Sequence, residues 1–132
     1  MIVVDASVAA KWVLPNEGRT EAALSLLGQM LGTDERMIAP TLLAFEITNI
    51  VHQRVRRGFL AADEATVPLD DFFSLPIVFS SPSGLHHLAL ALAAEFGLPA
   101  AYDAHYLALA ELADCDLWTD DRRLMRQVGD RF

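Results

Sequence analysis

Cysteine occurs once in the 132-residue chain, as Cys115, so neither a disulfide framework nor a cysteine-based zinc site is open to it. Lysine also occurs once, as Lys11, and ten basic residues face eighteen acidic ones. The net charge of −8 excludes a general coat of positive charge for gripping nucleic acid by its phosphates. It leaves room for a nuclease whose acids are gathered around a metal. No apolar run approaches the roughly 20 residues of a membrane span. Met1 leads directly into Ile2-Val3-Val4 with no basic stretch ahead of it, so no secretory signal is read. Repeats, linkers and low-complexity stretches are missing too. The expectation is a soluble cytoplasmic protein with no membrane contact. Its 53% hydrophobic content suits one domain over residues 1–132 with one core.

What the chain does have is alanine and leucine, twenty of each, which favour helix. Helical patterns are predicted over 6–13, 17–31, 41–57, 61–73, 83–96, 102–113 and 122–128. Pro15 ends the first. Ala22, Leu26 and Met30 form the stripe of the second, and Leu43, Ile47, Ile50, Val51 and Val55 form that of the third. Pro68 is expected to disturb the fourth. Short apolar runs at 2–4, 37–39, 77–79 and 116–118 read as strands. Strands alternating with helices predict an α/β fold with a parallel sheet covered on both faces. In such sheets the functional residues gather beyond the carboxyl ends of the strands. That rule selects Asp5 after the first strand, and Thr119, Asp120 and Asp121 after the last.

Four acids stand out. Asp5, with Ser7 two residues on, suits a helix N-cap, and so does Asp121. Glu46 lies mid-helix between Phe45 and Ile47, with Asn49 and Gln53 on the same face; a solvated stripe or a cleft-facing carboxylate both fit. Asp103 opens a helix, where its charge suits the macrodipole. Each can face the same edge of the sheet. Two like charges 4 Å apart repel by about 4 kcal/mol at an effective dielectric near 20. Four carboxylates at one mouth therefore call for a cation, or for some of them to keep their protons. Hard oxygen ligands without cysteine or clustered histidine point to Mg²⁺ or Mn²⁺. Such ions activate water and steady an in-line displacement at phosphorus.

Four motifs in order resemble the PIN-domain ribonucleases, specifically the VapC-type toxins of bacterial toxin–antitoxin pairs. They are Val4-Asp5-Ala6-Ser7, Glu46-Ile47-Thr48-Asn49, Tyr102-Asp103-Ala104-His105-Tyr106-Leu107-Ala108-Leu109-Ala110, and Leu117-Trp118-Thr119-Asp120-Asp121-Arg122-Arg123-Leu124. The likeness covers about residues 2–128. It implies a three-layer α/β/α sandwich around a four- or five-stranded parallel sheet, with the short end after Leu124 putting the fifth strand in doubt. It implies a toxin that is a Mg²⁺- or Mn²⁺-dependent endoribonuclease. Its catalytic and metal-binding acids fall on Asp5, Glu46, Asp103 and Asp121. Ser7, Asn49 and Thr119 fall on supporting positions, and Asp120 is an extra ligand or a bystander. The resemblance also implies a homodimer and a cognate VapB-type antitoxin.

Hydrolysis of this kind leaves 5′-phosphate and 3′-hydroxyl ends. RNA phosphates would be met by Lys11, Arg122 and Arg123, near the cleft by sequence, with Arg54, Arg56, Arg57 and Arg126 as further candidates. The adjacent His86 and His87 do not face each other on a helix and make poor joint ligands. Trp12 and Trp118 read as core or interface residues. A receiver domain would want a late lysine, and a dehalogenase-type phosphatase would want an acid where Ser7 stands. The remaining alternative is a PIN-like binding or scaffold module that no longer cuts.

Overall fold

The computed structural model describes residues 1–14 and 20–132. The expected end of the first helix at Pro15, and the start of the second at 17, lie outside the described residues. Four strands, β1 (Ile2–Val4), β2 (Met37–Ala39), β3 (Ile77–Phe79) and β4 (Asp116–Trp118), form one parallel sheet in the order β3-β2-β1-β4. Val3, Val4 and Ala39 are completely buried and Met37 and Ile38 nearly so, because β1 and β2 are the inner strands and have both faces covered. The edge strands β3 and β4 expose Val78 and Trp118.

The helices are α1 (Ala6–Val13), α2 (Thr20–Leu31), α3 (Leu42–Arg56), α4 (Thr66–Ser74), α5 (Leu85–Glu95), α6 (Ala104–Ala113) and α7 (Arg122–Val128). The chain steps from β1 to β2 to β3 in one direction, then returns past β1 to β4. Right-handed crossovers in opposite directions cover the sheet on opposite faces. Accordingly α1 packs with α2, α3 and α4, whereas α6 packs with α5, β1 and β4. The strand order reverses between β1 and β4, so their carboxyl ends flank the crevice where such sheets bind ligands.

Several expectations are corrected in detail. The buried stripe of α2 runs through Ala23, Leu26 and Met30, and Ala22 is exposed. Pro68 does not break its helix, because it stands in the first turn of α4, where a missing N–H is tolerated. A short 3₁₀ turn at Ala62–Glu64 precedes it. No fifth strand forms among the described residues; the chain ends in a 3₁₀ turn at Gly129–Arg131, with Arg131 reaching Glu95 and Glu111. Asp114 closes α6 in the left-handed conformation at φ 51°, the role usually given to glycine.

Candidate functional site

Asp5 is placed by β1 and held by three neighbours. Its backbone N–H donates to Trp118 O at 3.3 Å, extending the β1–β4 ladder one step past the sheet. Its Oδ1 accepts from Ser7 Oγ at 2.6 Å and from the Val8 N–H at 3.2 Å, the second bond capping α1. Ser7 Oγ also accepts from the Asp120 N–H at 2.8 Å and lies 3.4 Å from Thr119 Oγ1. One serine thus ties the turn after β1 to the turn after β4. Thr119 Oγ1 accepts from the Asp121 N–H at 3.0 Å, and Asp121 Oδ1 caps α7 through the Leu124 N–H at 3.1 Å. The N-cap reading of Asp5 and Asp121 is therefore correct, and the caps stand at the crevice.

Glu46 comes from the buried-to-exposed boundary of α3. Its Oε1 accepts from the hydroxyl of Tyr106, which is only 1% exposed, on α6. Asp103 stands at the start of α6, and Glu46, Asn49 and Asp103 line one cavity of about 400 Å³ with Leu42, Phe45 and Tyr102. The structure therefore places all four acids around the carboxyl side of the sheet.

Their electrostatics agree with that placement. Burial pushes the Asp5 carboxyl above its usual range, against the pull of the Ser7 and Thr119 hydroxyls and the Val8 N–H; the charge of Asp103 pushes it further. Burial also raises Glu46, opposed by the Tyr106 hydroxyl and reinforced by Asp103 and Asp5. Asp103 is raised by burial and by the charge of Asp121. Among the described residues, no three of Asp, Glu, His or Cys converge closely enough to clasp one ion between them. Mg²⁺ does not require that, since it keeps several waters and takes one or two carboxylates directly. A set of hard, mutually repelling oxygens fits such an ion.

The basic candidates divide. Lys11 is 8% exposed and its ammonium is paired with Asp120, so it stands inside the wall of the site and not on its rim. Asp120 thereby has a structural partner. Arg122 and Arg123 are exposed in the first turn of α7, directly after Asp121. Arg54 lies over the Phe59 ring, 5.6 Å from its centroid, at the end of α3. Trp12 donates from Nε1 to Ala23 O at 2.6 Å, as expected of a residue joining α1 to α2. His86 meets His105 and not His87, with Nδ1 2.9 Å from Nε2.

The PIN domain family matches residues 2–130. The chain belongs to the PIN-domain family. Ribonuclease VapC3 of Pyrobaculum aerophilum is 37% identical over 126 residues, covering 93% of this chain and 91% of its own. VapC ribonuclease Mb0985 of Mycobacterium bovis and ribonuclease VapC9 of Mycobacterium tuberculosis are each 32% identical over 124 residues, 94% of this chain and 88% of theirs. The crystal structure of PAE2754 from Pyrobaculum aerophilum superposes with a TM-score of 0.70 at 25% identity, covering 96% of this chain and 83% of that one. This PIN domain is thus of the VapC type, with the α/β architecture expected. No described helix is long and apolar enough to cross a membrane.

Tyr106 touches one of the four acids directly, and the sequence assigned it no role. The available signal was its hydroxyl, a single polar group in the buried run Tyr106-Leu107-Ala108-Leu109-Ala110. A buried tyrosine needs a hydrogen-bond partner, and that partner is Glu46.

Proposed function

We propose that this PIN domain is the toxin of a type II toxin–antitoxin pair and cuts RNA by metal-dependent hydrolysis at the four-acid crevice. The observation that carries the reading is the gathering of Asp5, Glu46 and Asp103 where burial and the charge of a neighbouring acid, Asp121 in the case of Asp103, raise each of them. The VapC names of its relatives point to the same chemistry. Asp5, Glu46, Asp103 and Asp121 are the residues that would hold Mg²⁺ or Mn²⁺. When bound, such an ion supplies Lewis acidity at the phosphate and lowers the pKa of water.

The chain's own residues do the positioning. Ser7 and the Val8 N–H fix Asp5 Oδ1, and Thr119 and Ser7 brace the turn that presents Asp121. The Tyr106 hydroxyl fixes Glu46 Oε1 and holds its carboxyl closer to the ionised state. Arg122 and Arg123 offer exposed guanidinium groups beside Asp121 for phosphate contact, and Asn49 offers an amide beside Glu46. Water attacks phosphorus and the 3′ oxygen leaves. A VapB-type antitoxin and a second copy of the chain, in the cytoplasm, complete the proposal. Exposed leucines such as Leu24, Leu31 and Leu90 supply apolar surface for such partners.

The test is incubation of the purified, partner-free chain with total cellular RNA and Mg²⁺ or Mn²⁺, with the cut ends sequenced. Discrete cuts bearing 5′-phosphate and 3′-hydroxyl ends, abolished by a chelator, are expected. Ends carrying 2′,3′-cyclic phosphate would overturn the mechanism. Folded protein that cuts nothing with either metal would favour the binding-module alternative.

Tyr106→Phe keeps the buried ring and removes the donor to Glu46. A hydrogen bond to a charged group contributes about 1.5–3 kcal/mol, so cleavage at neutral pH should fall by about tenfold or more. Without the hydroxyl, Glu46 takes up a proton more readily. The acidic limb of the pH–rate profile should therefore move to higher pH. A profile that superimposes on the unsubstituted protein's would remove Tyr106 from the site.

A further inference from the structure

Two exposed aromatic rings flank the acids. Phe45, in the first turn of α3, is 73% exposed, and Tyr102, in the turn before α6, is 66% exposed. Phe45 directly precedes Glu46, and Tyr102 directly precedes Asp103. Both rings line the cavity of about 400 Å³ that contains those two carboxylates. Both also line a second cavity of about 340 Å³, which shares Leu42 with the first and continues to Leu85, His86 and His105. The first cavity carries the charge. The second is mainly apolar, with a pair of imidazoles in its wall.

The imidazoles are hydrogen-bonded in series. His105 Nδ1 lies 2.8 Å from Ala101 O, and a carbonyl can only accept, so that nitrogen carries the hydrogen. In the neutral ring His105 Nε2 is then an acceptor, and His86 Nδ1 donates to it across 2.9 Å. The rings meet edge to face at 68°. This chain of bonds joins α5 to the loop carrying Tyr102 and Asp103. It leaves His86 Nε2, in the neutral ring, as an acceptor.

We propose that the second cavity, with Phe45 and Tyr102 at its mouth, is a subsite for one unpaired nucleobase of the RNA, next to the phosphate that is cut. The inference rests on the RNA-cleaving reading of the acids and adds what selects the strand. Aromatic faces with a few fixed polar groups are how unstacked bases are held in single-stranded nucleic acid. The charged cavity suits the backbone with its cation, and the apolar one beside it suits the base. A duplex keeps its bases stacked inside and cannot fill the subsite.

The experiment compares short single-stranded oligoribonucleotides that differ only in one base beside the mapped cut, present or replaced by an abasic unit. Two readouts are taken. One is cleavage by the unsubstituted chain with Mg²⁺. The other is binding to the Asp5→Asn protein, which does not depend on cutting. Removing the base should weaken both by about tenfold, the stacking contribution of one base. In Phe45→Ala and Tyr102→Ala the ratio between the two oligonucleotides should shrink toward one, while Phe45→Trp restores it. Both rings are exposed, so the alanine variants should keep the unfolding midpoint. A base-independent ratio in the presence of cleavage overturns the subsite and leaves the nuclease standing. An unchanged ratio in both alanine variants overturns it too and assigns the rings to a protein partner. If nothing is cut, the abasic unit is moved through every position of the oligonucleotide and binding to the Asp5→Asn protein decides: a base-dependent ratio at one position, lost in the alanine variants, supports the subsite, and a ratio of one at every position overturns it.

Discussion

Asp5→Asn is expected to lower RNA cleavage by at least about 100-fold, the usual scale for removing one preorganised electrostatic group from an active site, without weakening the fold. Both halves follow from the same geometry. The asparagine oxygen can still accept from Ser7 Oγ and the Val8 N–H, so the α1 cap and the Ser7 bridge to Asp120 survive. What disappears is a charge at a position that is 7% exposed and where burial already disfavours ionisation. The unfolding free energy at pH 7 should be unchanged or higher, because the buried charge is gone. Cleavage rates and a urea titration on the same preparation check the pair. Full activity would remove Asp5 from the site. Lost activity with a collapsed unfolding midpoint would make the aspartate a structural cap and no more.

The sequence read well where one element decides the outcome. The end of β1 at Asp5, the end of β4 before Thr119, and the alternation that makes the sheet parallel all follow from local runs. The carboxyl-edge rule then places Asp5 and Asp121 together across 116 residues without any contact being seen. It read less well where two elements decide. Tyr106 and Glu46 are each ordinary on their own helices, and only the approach of α6 to α3 makes them a pair. Lys11 looked like a phosphate contact because it follows Asp5 by two turns at most; Asp120, 109 positions later, claims it instead. His86 looked like half of a useless doublet because its neighbour in sequence faces away, while its true neighbour comes from α6. Ala22 and Ala23 are alike in chemistry, and only the packing of α2 on α1 decides which is buried. Helical periodicity gives a face, and the opposing element determines what that face is for.

Without divalent metal, the protein is expected to lose stability as pH rises from about 4 toward neutrality, the reverse of ordinary acid denaturation over that window. Unfolded Asp and Glu side chains titrate near 4. In the folded chain Asp5, Glu46 and Asp103 hold their protons to higher pH. Below the unfolded values both states are protonated and there is no penalty. Between the unfolded and folded values the native state keeps protons that the unfolded chain has released, so the unfolding free energy falls with pH. Above the folded values the penalty is complete. Asp103 is exposed enough for solvent to screen its share, which leaves Asp5 as the main contributor. A divalent cation reverses the slope, because it binds the ionised acids and competes with their protons. At one hundred times its dissociation constant, a ligand adds about 2.7 kcal/mol to stability. Saturating Mg²⁺ should therefore raise the unfolding midpoint by several degrees at pH 7, and by much less near pH 4, where the acids keep their protons. Asp5→Asn should flatten the metal-free slope and reduce the metal-induced rise together, since one carboxylate is responsible for both. A midpoint that rises equally at both pH values, or a rise that survives the substitution intact, would place the cation somewhere other than this crevice.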